Sequence, residues 1–332
     1  MAAEISVSVL PAAVYREETN GSAVLHFDLQ VTNSSETSFT LSAIDYLGLA
    51  DDGSVVLRRT VDEHGLRPGI EVIPERVVPP DRPTVVFNPL YAFPASLGLS
   101  RLQLRCHFTT EDGRTVTAET DVRPVTYAPK TALSLPLTGR VLVTGGHDFL
   151  SPHRRIDPTH PIAAQFGVRA NSGRYADDLS LVDAAGSLFS GDGRQRADWF
   201  GFSAAVRAPA GGTVVAAVAS VADNELTPGG VEFAALPDDP AAAIFGNYVI
   251  IDHGDNEHSV LGHLQHESVE VAPGDHVEAR QPVARVGLSG NTDFVHLHYQ
   301  LQGGPDPRLA EGLPTRFAEI GPLEPGTIVE SS

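Results

Sequence analysis

Val295-His296-Leu297-His298-Tyr299-Gln300-Leu301 alternates apolar and polar side chains without a break. A period of two is the signature of a strand: Val295, Leu297, Tyr299 and Leu301 share one face, and His296 and His298 project together from the other. Two residues along a strand rise about 6.5–7 Å, so two imidazoles on one face can meet a single ion or an ion-bound ligand.

Strand patterning extends upstream through Thr213-Val214-Val215, Tyr248-Val249-Ile250-Ile251, Val269-Glu270-Val271 and Val283-Ala284-Arg285-Val286. The turns Pro209-Ala210-Gly211-Gly212, Pro273-Gly274-Asp275 and Gly287-Leu288-Ser289-Gly290 punctuate these runs. No long apolar stripe of period 3.6 interrupts them, so this half of the chain is predicted to be mainly β. It is entered through Arg140-Val141-Leu142-Val143, after which Gly145–Gly173 shows no period.

The first part of the chain reads the same way with different turns. Leu25, Phe27, Leu29 and Val31 alternate with polar residues, as do Leu102, Leu104, Cys106 and Phe108. Asn33-Ser34-Ser35, Asp51-Asp52-Gly53 and Glu111-Asp112-Gly113 supply turn chemistry between strands. Pro79-Pro80 and Pro89 confine the middle stretch to loop or sheet edge. Short strands at this spacing predict an immunoglobulin-like β-sandwich over residues 1–130, followed by a second domain over 131–332. His26 and His107 fall on polar strand faces and read as solvated.

Composition narrows the function. The chain of 332 residues carries 23 basic and 42 acidic residues, a net charge of −19, which disfavours nucleic acid and anionic membrane as partners. Up to residue 140 there are 17 acidic and 12 basic residues, net −5; beyond it 25 and 11, net −14. Ten of the 13 histidines lie in that acidic half, between His147 and His298. One cysteine, Cys106, excludes an internal disulfide and a cysteine-based zinc cluster. No apolar run approaches about 18 residues, so no membrane-inserting helix is expected, and the N-terminal residues lack the pattern of a secretory signal.

Residues ~205–302 resemble the core of the lysostaphin-type zinc metallopeptidases, which cleave peptidoglycan stem peptides and cross-bridges. The resemblance runs through Ala208-Pro209-Ala210-Gly211-Gly212-Thr213-Val214, Gly246-Asn247-Tyr248-Val249-Ile250-Ile251-Asp252-His253-Gly254, Leu261-Gly262-His263-Leu264 and Pro273-Gly274-Asp275. It continues through Val286-Gly287-Leu288-Ser289-Gly290-Asn291-Thr292 to His296-Leu297-His298-Tyr299. It implies a lysostaphin-type antiparallel β-sheet peptidase domain holding one Zn²⁺, a peptide or peptidoglycan substrate and an extracytoplasmic location. His298 would then ligate zinc, with His263 and His296 in catalytic roles beside the reacting water and carbonyl.

The family takes its other two ligands from H-x-x-x-D. Here the corresponding segment is Arg174-Tyr175-Ala176-Asp177-Asp178, which puts Asp178 in the aspartate position, with Asp177 as the neighbouring alternative, and arginine in place of the histidine. Arginine has no lone pair to offer a metal. It reads instead as an ion-pair partner of Asp177 or Asp178, or as a binder of a substrate carboxylate. The third ligand is then expected from His153 in Pro152-His153-Arg154-Arg155, from His147 or His160, or from none of them. His253, His258, His266 and His276 lie beside turns or at polar positions and read as solvated. Two functions follow: a zinc-dependent endopeptidase, or a catalytically degenerate member that serves as a binding or regulatory module.

Overall fold

A computed structural model describes residues 4–19 and 21–332. Strands hold 41% of the chain and helices 6%, in the β-rich architecture that the alternating patterns predict. The α-helices among the described residues are Pro161–Gln165 and Pro240–Phe245, of five and six residues. Among the described residues no helix is long and apolar enough to cross a membrane. The chain divides into two compact units, Met1–Ala128 with Asp157–Ala164, and Pro129–Ile156 with Gln165–Ser332.

The first unit is a sandwich of short, almost wholly antiparallel sheets. Strand Arg101–Thr109 pairs with Phe39–Leu49 on one side and Thr115–Val122 on the other, while Asp28–Asn33 lies between Ile5–Leu10 and Thr84–Phe87. Leu25, Phe27, Leu29 and Val31 are fully buried with Leu102, Leu104, Cys106 and Phe108 in one core. Burial pushes the Cys106 thiol up to about 12, so it is no reactive thiolate. His26 departs from expectation. It is 2% exposed, with Nε2 3.6 Å from Glu17 and its ring stacked on Tyr91, because the strand breaks at residues 26–27 and the side chain turns inward. His107 remains partly solvated and meets Asp45 at 3.0 Å.

The second unit is built on one antiparallel sheet. Its strands run in the order His276–Val277, Gly212–Val218, Asn247–Asp252, His258–Leu264, Leu297–Gln302, Asp177–Leu181, Gly139–Gly145 and Ile328–Ser331. Val249, Ile251, Leu261, Leu297, Tyr299 and Leu301 face the main core. Tyr248, Ile250 and Val260 point the other way into a smaller cluster with Phe245, which explains why Tyr248–Ile251 is apolar without alternation. Val269–Val271 forms no strand: Glu270 donates to the Val283 carbonyl and the segment is otherwise irregular.

His258, read as solvated, is 6% exposed, with Nε2 3.6 Å from Asp252 across the strand pair. His253 donates from Nδ1 to the Gly211 carbonyl and accepts from Ser259 Oγ at Nε2, a structural tie behind the core.

Candidate metal centre

The pairing register brings the site together. Asp178 lies opposite His298 on one side of strand Leu297–Gln302, and Gly262 lies opposite His298 on the other. The strand pleat then turns Asp178 and His298 to the same face of the sheet. One residue beyond Gly262, His263 has φ +57, a left-handed backbone that takes its ring out of the alternation and sets it 4.8 Å from His296 and 5.8 Å from His298. His153 arrives from the irregular stretch after Gly145.

Three imidazoles converge on one carboxylate oxygen. His153 Nε2 lies 3.3 Å from Asp178 Oδ1, His296 Nε2 3.2 Å and His298 Nδ1 3.2 Å. Asp178, His263, His296 and His298 are each under 10% exposed. Phe294 stacks on His296 at 4.3 Å, and Phe245 tilts against His298 at 5.3 Å, so the cluster has apolar walls.

The second nitrogen of each ring fixes its tautomer. His153 Nδ1 donates to the Gly146 carbonyl, His263 Nδ1 to Ser289, His296 Nδ1 to Phe294 and His298 Nε2 to the side-chain oxygen of Gln300. Carbonyl oxygens only accept, so each of these nitrogens carries hydrogen and each neutral ring turns a lone pair inward. Lone pairs facing a carboxylate at 3.2–3.3 Å repel it unless positive charge sits among them. Three imidazolium ions packed on one another would repel as well. A divalent cation resolves both conflicts, and the ligand atoms of His153, Asp178 and His298 lie within 4.8 Å of one another. Two imidazole nitrogens and a carboxylate oxygen are a donor set that suits zinc.

Protonation follows the same charges. Burial by itself would raise the Asp178 carboxyl, but His296 and His153 beside it hold it well below the usual carboxylate range. Burial, reinforced by His296 and His298, drives His263 well below an ordinary histidine. Burial also lowers His298. At His153 burial acts downward, and the Asp178 carboxylate outweighs it and raises the pKa.

Five of the sequence-predicted residues, His153, Asp178, His263, His296 and His298, therefore lie in one cluster. His147 faces Asp177 instead, at 3.7 Å, and His160 is exposed, its Nδ1 accepting from the Ile162 amide. Arg174 is 3% exposed with Nε 3.6 Å from Glu311, a carboxylate that the spacing of Asp177 and Asp178 did not bring to notice. Gln300 and Gln302 were missed as well. His298 donates to Gln300, Gln300 donates to Gln302 at 2.6 Å, and Gln302 donates to the Gly304 carbonyl at 2.6 Å, all buried. The signal was present: Gln300 and Gln302 continue the polar face that starts at His296 and His298.

Residues 200–308 match the model of Peptidase family M23, a span that contains His263, His296 and His298 and leaves out His153 and Asp178. Among solved structures, a zinc containing peptidase from Vibrio cholerae is 12% identical, covering 90% of this chain and 83% of that one at a TM-score of 0.31. The M23 metalloprotease pseudoalterin is 12% identical over 56% of this chain and 76% of its own, at 0.30. A chain of the SpoIIQ-SpoIIIAH pore forming complex is 19% identical over 41% of this chain, which spans 60% of the length of that one, at 0.24. At such TM-scores the likeness says nothing about activity. No curated protein matches the chain.

Proposed function

From the Peptidase family M23 domain at residues 200–308, we propose that the protein is a zinc-dependent endopeptidase acting on peptide bonds of peptidoglycan, outside the cytoplasm. The observation that carries the reading is the convergence of His153 Nε2, His296 Nε2 and His298 Nδ1 on Asp178 Oδ1, each ring having its outer N–H committed to a carbonyl. His153, Asp178 and His298 would hold the metal. Zinc so held supplies a Lewis acid that polarises a peptide carbonyl and acidifies water.

The remaining steps belong to the protein. His263 is kept neutral by burial and by its two histidine neighbours, and its Nδ1 is anchored on the Ser289 carbonyl. Its Nε2 is therefore available to take a proton from the attacking water and to return it to the leaving amine. His296, held by Phe294, supplies a second inward Nε2 beside it, able when protonated to donate to the oxyanion that develops on the carbonyl. The apolar faces of Phe294 and Phe245 keep bulk water off these rings, which strengthens each of those interactions.

Metal analysis tests the reading. The protein is expected to carry about one zinc per chain, lost in Asp178→Ala and in His298→Ala, and to release peptides from purified peptidoglycan. No metal above background after zinc loading would sink it. Arg174, which the resemblance sets in the place of a ligand histidine, supports a second reading: a binding or regulatory module that catalyses nothing. That reading predicts zinc at the same stoichiometry with no turnover.

A further inference from the structure

The resemblance sets Arg174 where a ligand histidine is expected, and a histidine in a loop serves in its stead only if something fixes the loop. A strand residue has its backbone freedom removed by the sheet; a loop residue does not. Within the loop, Ser151 donates from its amide to Asp148, Arg155 to Pro152, and His153 to Ser151 Oγ. Ser151 Oγ and His153 Nδ1 both donate to the Gly146 carbonyl. These bonds shape residues 146–155, whose near end leaves the sheet at Gly145 opposite Asp178 and places His147 3.7 Å from Asp177.

Asn171 ties the far end of the loop, at residues 153 and 154. It is 1% exposed, and its Nδ2 donates to the His153 carbonyl at 2.9 Å and to the Arg154 carbonyl at 3.4 Å. Its own carbonyl accepts from the Gly312 amide at 3.0 Å, next to the short strand Gly312–Leu313 that pairs with Leu297–Gln302. Asn171 thus joins the backbone that carries His153 to a strand paired with the one that carries His298. Its Oδ1 is buried without a hydrogen bond, so only the donor side of the amide is used.

We propose that Asn171 is a positioning residue for the metal centre: it holds the loop at the two carbonyls of His153 and Arg154 so that the His153 imidazole reaches Asp178 and His298. The inference rests on the zinc reading above. It assigns to Asn171 the part that the sheet plays for His298, and explains how the chain tolerates arginine at position 174.

The test uses the full chain with four forms: unaltered, Asn171→Asp, His153→Ala and the double variant. Asn171→Asp keeps the shape and turns an oxygen toward two carbonyl oxygens, which repels the loop. Thermal unfolding of each metal-free form is recorded first, then zinc affinity by competition with a chromophoric chelator. The expected result is an on the order of 10- to 100-fold weaker affinity in Asn171→Asp, the size typical for loss of a residue that orients a ligand. The double variant is expected to bind no more weakly than His153→Ala, because the clamp acts through that histidine. Unchanged affinity in Asn171→Asp overturns the proposal. So do losses that multiply in the double variant, and so does a metal-free Asn171→Asp that no longer unfolds cooperatively, which would make the residue structural. An unaltered protein that binds no zinc removes the zinc reading itself, a different result from any of these.

Discussion

The amide chain from His298 through Gln300 and Gln302 to Gly304 shows how one backbone carbonyl sets a lone pair on a ring two side chains beyond the amide it binds. The Gly304 oxygen can only accept, which fixes the Gln302 amide, then Gln300, and leaves His298 Nε2 as a donor and Nδ1 facing Asp178. Gln300→Leu is expected to strand two buried groups, the His298 N–H and the Gln302 oxygen, at about 1–3 kcal/mol each. Urea unfolding of the metal-free protein would read that loss, and zinc affinity should fall roughly 10- to 100-fold. Gln300→Glu separates the two effects: it keeps an acceptor for His298 but gives Gln302 no donor, so stability should fall while zinc is retained. Equal zinc loss in both variants would show that the chain does not orient His298. At this scale residue type and spacing made the pair His296 and His298 legible, whereas His263 and Asp178 came into view only through the family resemblance. Gln300 lay in view on the same polar face as His296 and His298, but its role and that of Asn171 take their meaning from partners that only the fold supplies, and His153 stood open beside His147 and His160 for the same reason.

Two glycines at the ends of elements show why the strands hold the site as they do. Gly145 ends the strand Gly139–Gly145 beside Asp178, and a β-carbon there would sit 2.6 Å from Asp178 Oδ2. Gly246 has φ +64, and its β-carbon would sit 2.2 Å from the Ser289 carbonyl, the group that anchors His263. The obstacles differ in kind. Gly145→Ala meets the end of a side chain, so the fold should survive with Asp178 displaced and zinc affinity reduced. Gly246→Ala meets backbone from a left-handed conformation, and a strain of at least ~1–3 kcal/mol should lower the unfolding midpoint before any metal is added. Calorimetry with and without zinc distinguishes them; a Gly145→Ala protein with unchanged zinc affinity would mean that Asp178 has room to move. Elements with a period were legible: the apolar faces of Leu102–Phe108 and Val295–Leu301 are buried as their alternation requires, although the polar face of the second, His296, His298 and Gln300, is buried as well. Val269-Glu270-Val271 has the same local pattern but no full strand partner, and pairing is a long-range property. His26 and His258 likewise sit at positions that read as polar, yet neighbouring segments cover them.

At the scale of the molecule, each unit has a core of its own. The main hydrophobic cluster of one is drawn from residues between Ile5 and Val122, that of the other from residues between Leu133 and Leu323. The cluster of His153, Asp178, His263, His296 and His298 belongs wholly to the second unit. A ligand that binds only folded protein stabilises by RT ln(1 + [L]/Kd), about 2.7 kcal/mol at a hundred times Kd. For a unit of this size that corresponds to roughly 5–10 °C in melting temperature. Zinc should therefore raise one thermal transition by that amount and leave the other where it is, and a chelator should reverse the shift. The stationary transition is assigned by Cys106, whose buried thiol becomes accessible to alkylation only when the first unit unfolds. Asp178→Ala should abolish the zinc shift without moving the transition that exposes Cys106. If zinc raised the transition reported by Cys106 as well, the two cores would be melting as one, and the metal would stabilise the whole chain and not only the unit that holds the histidines.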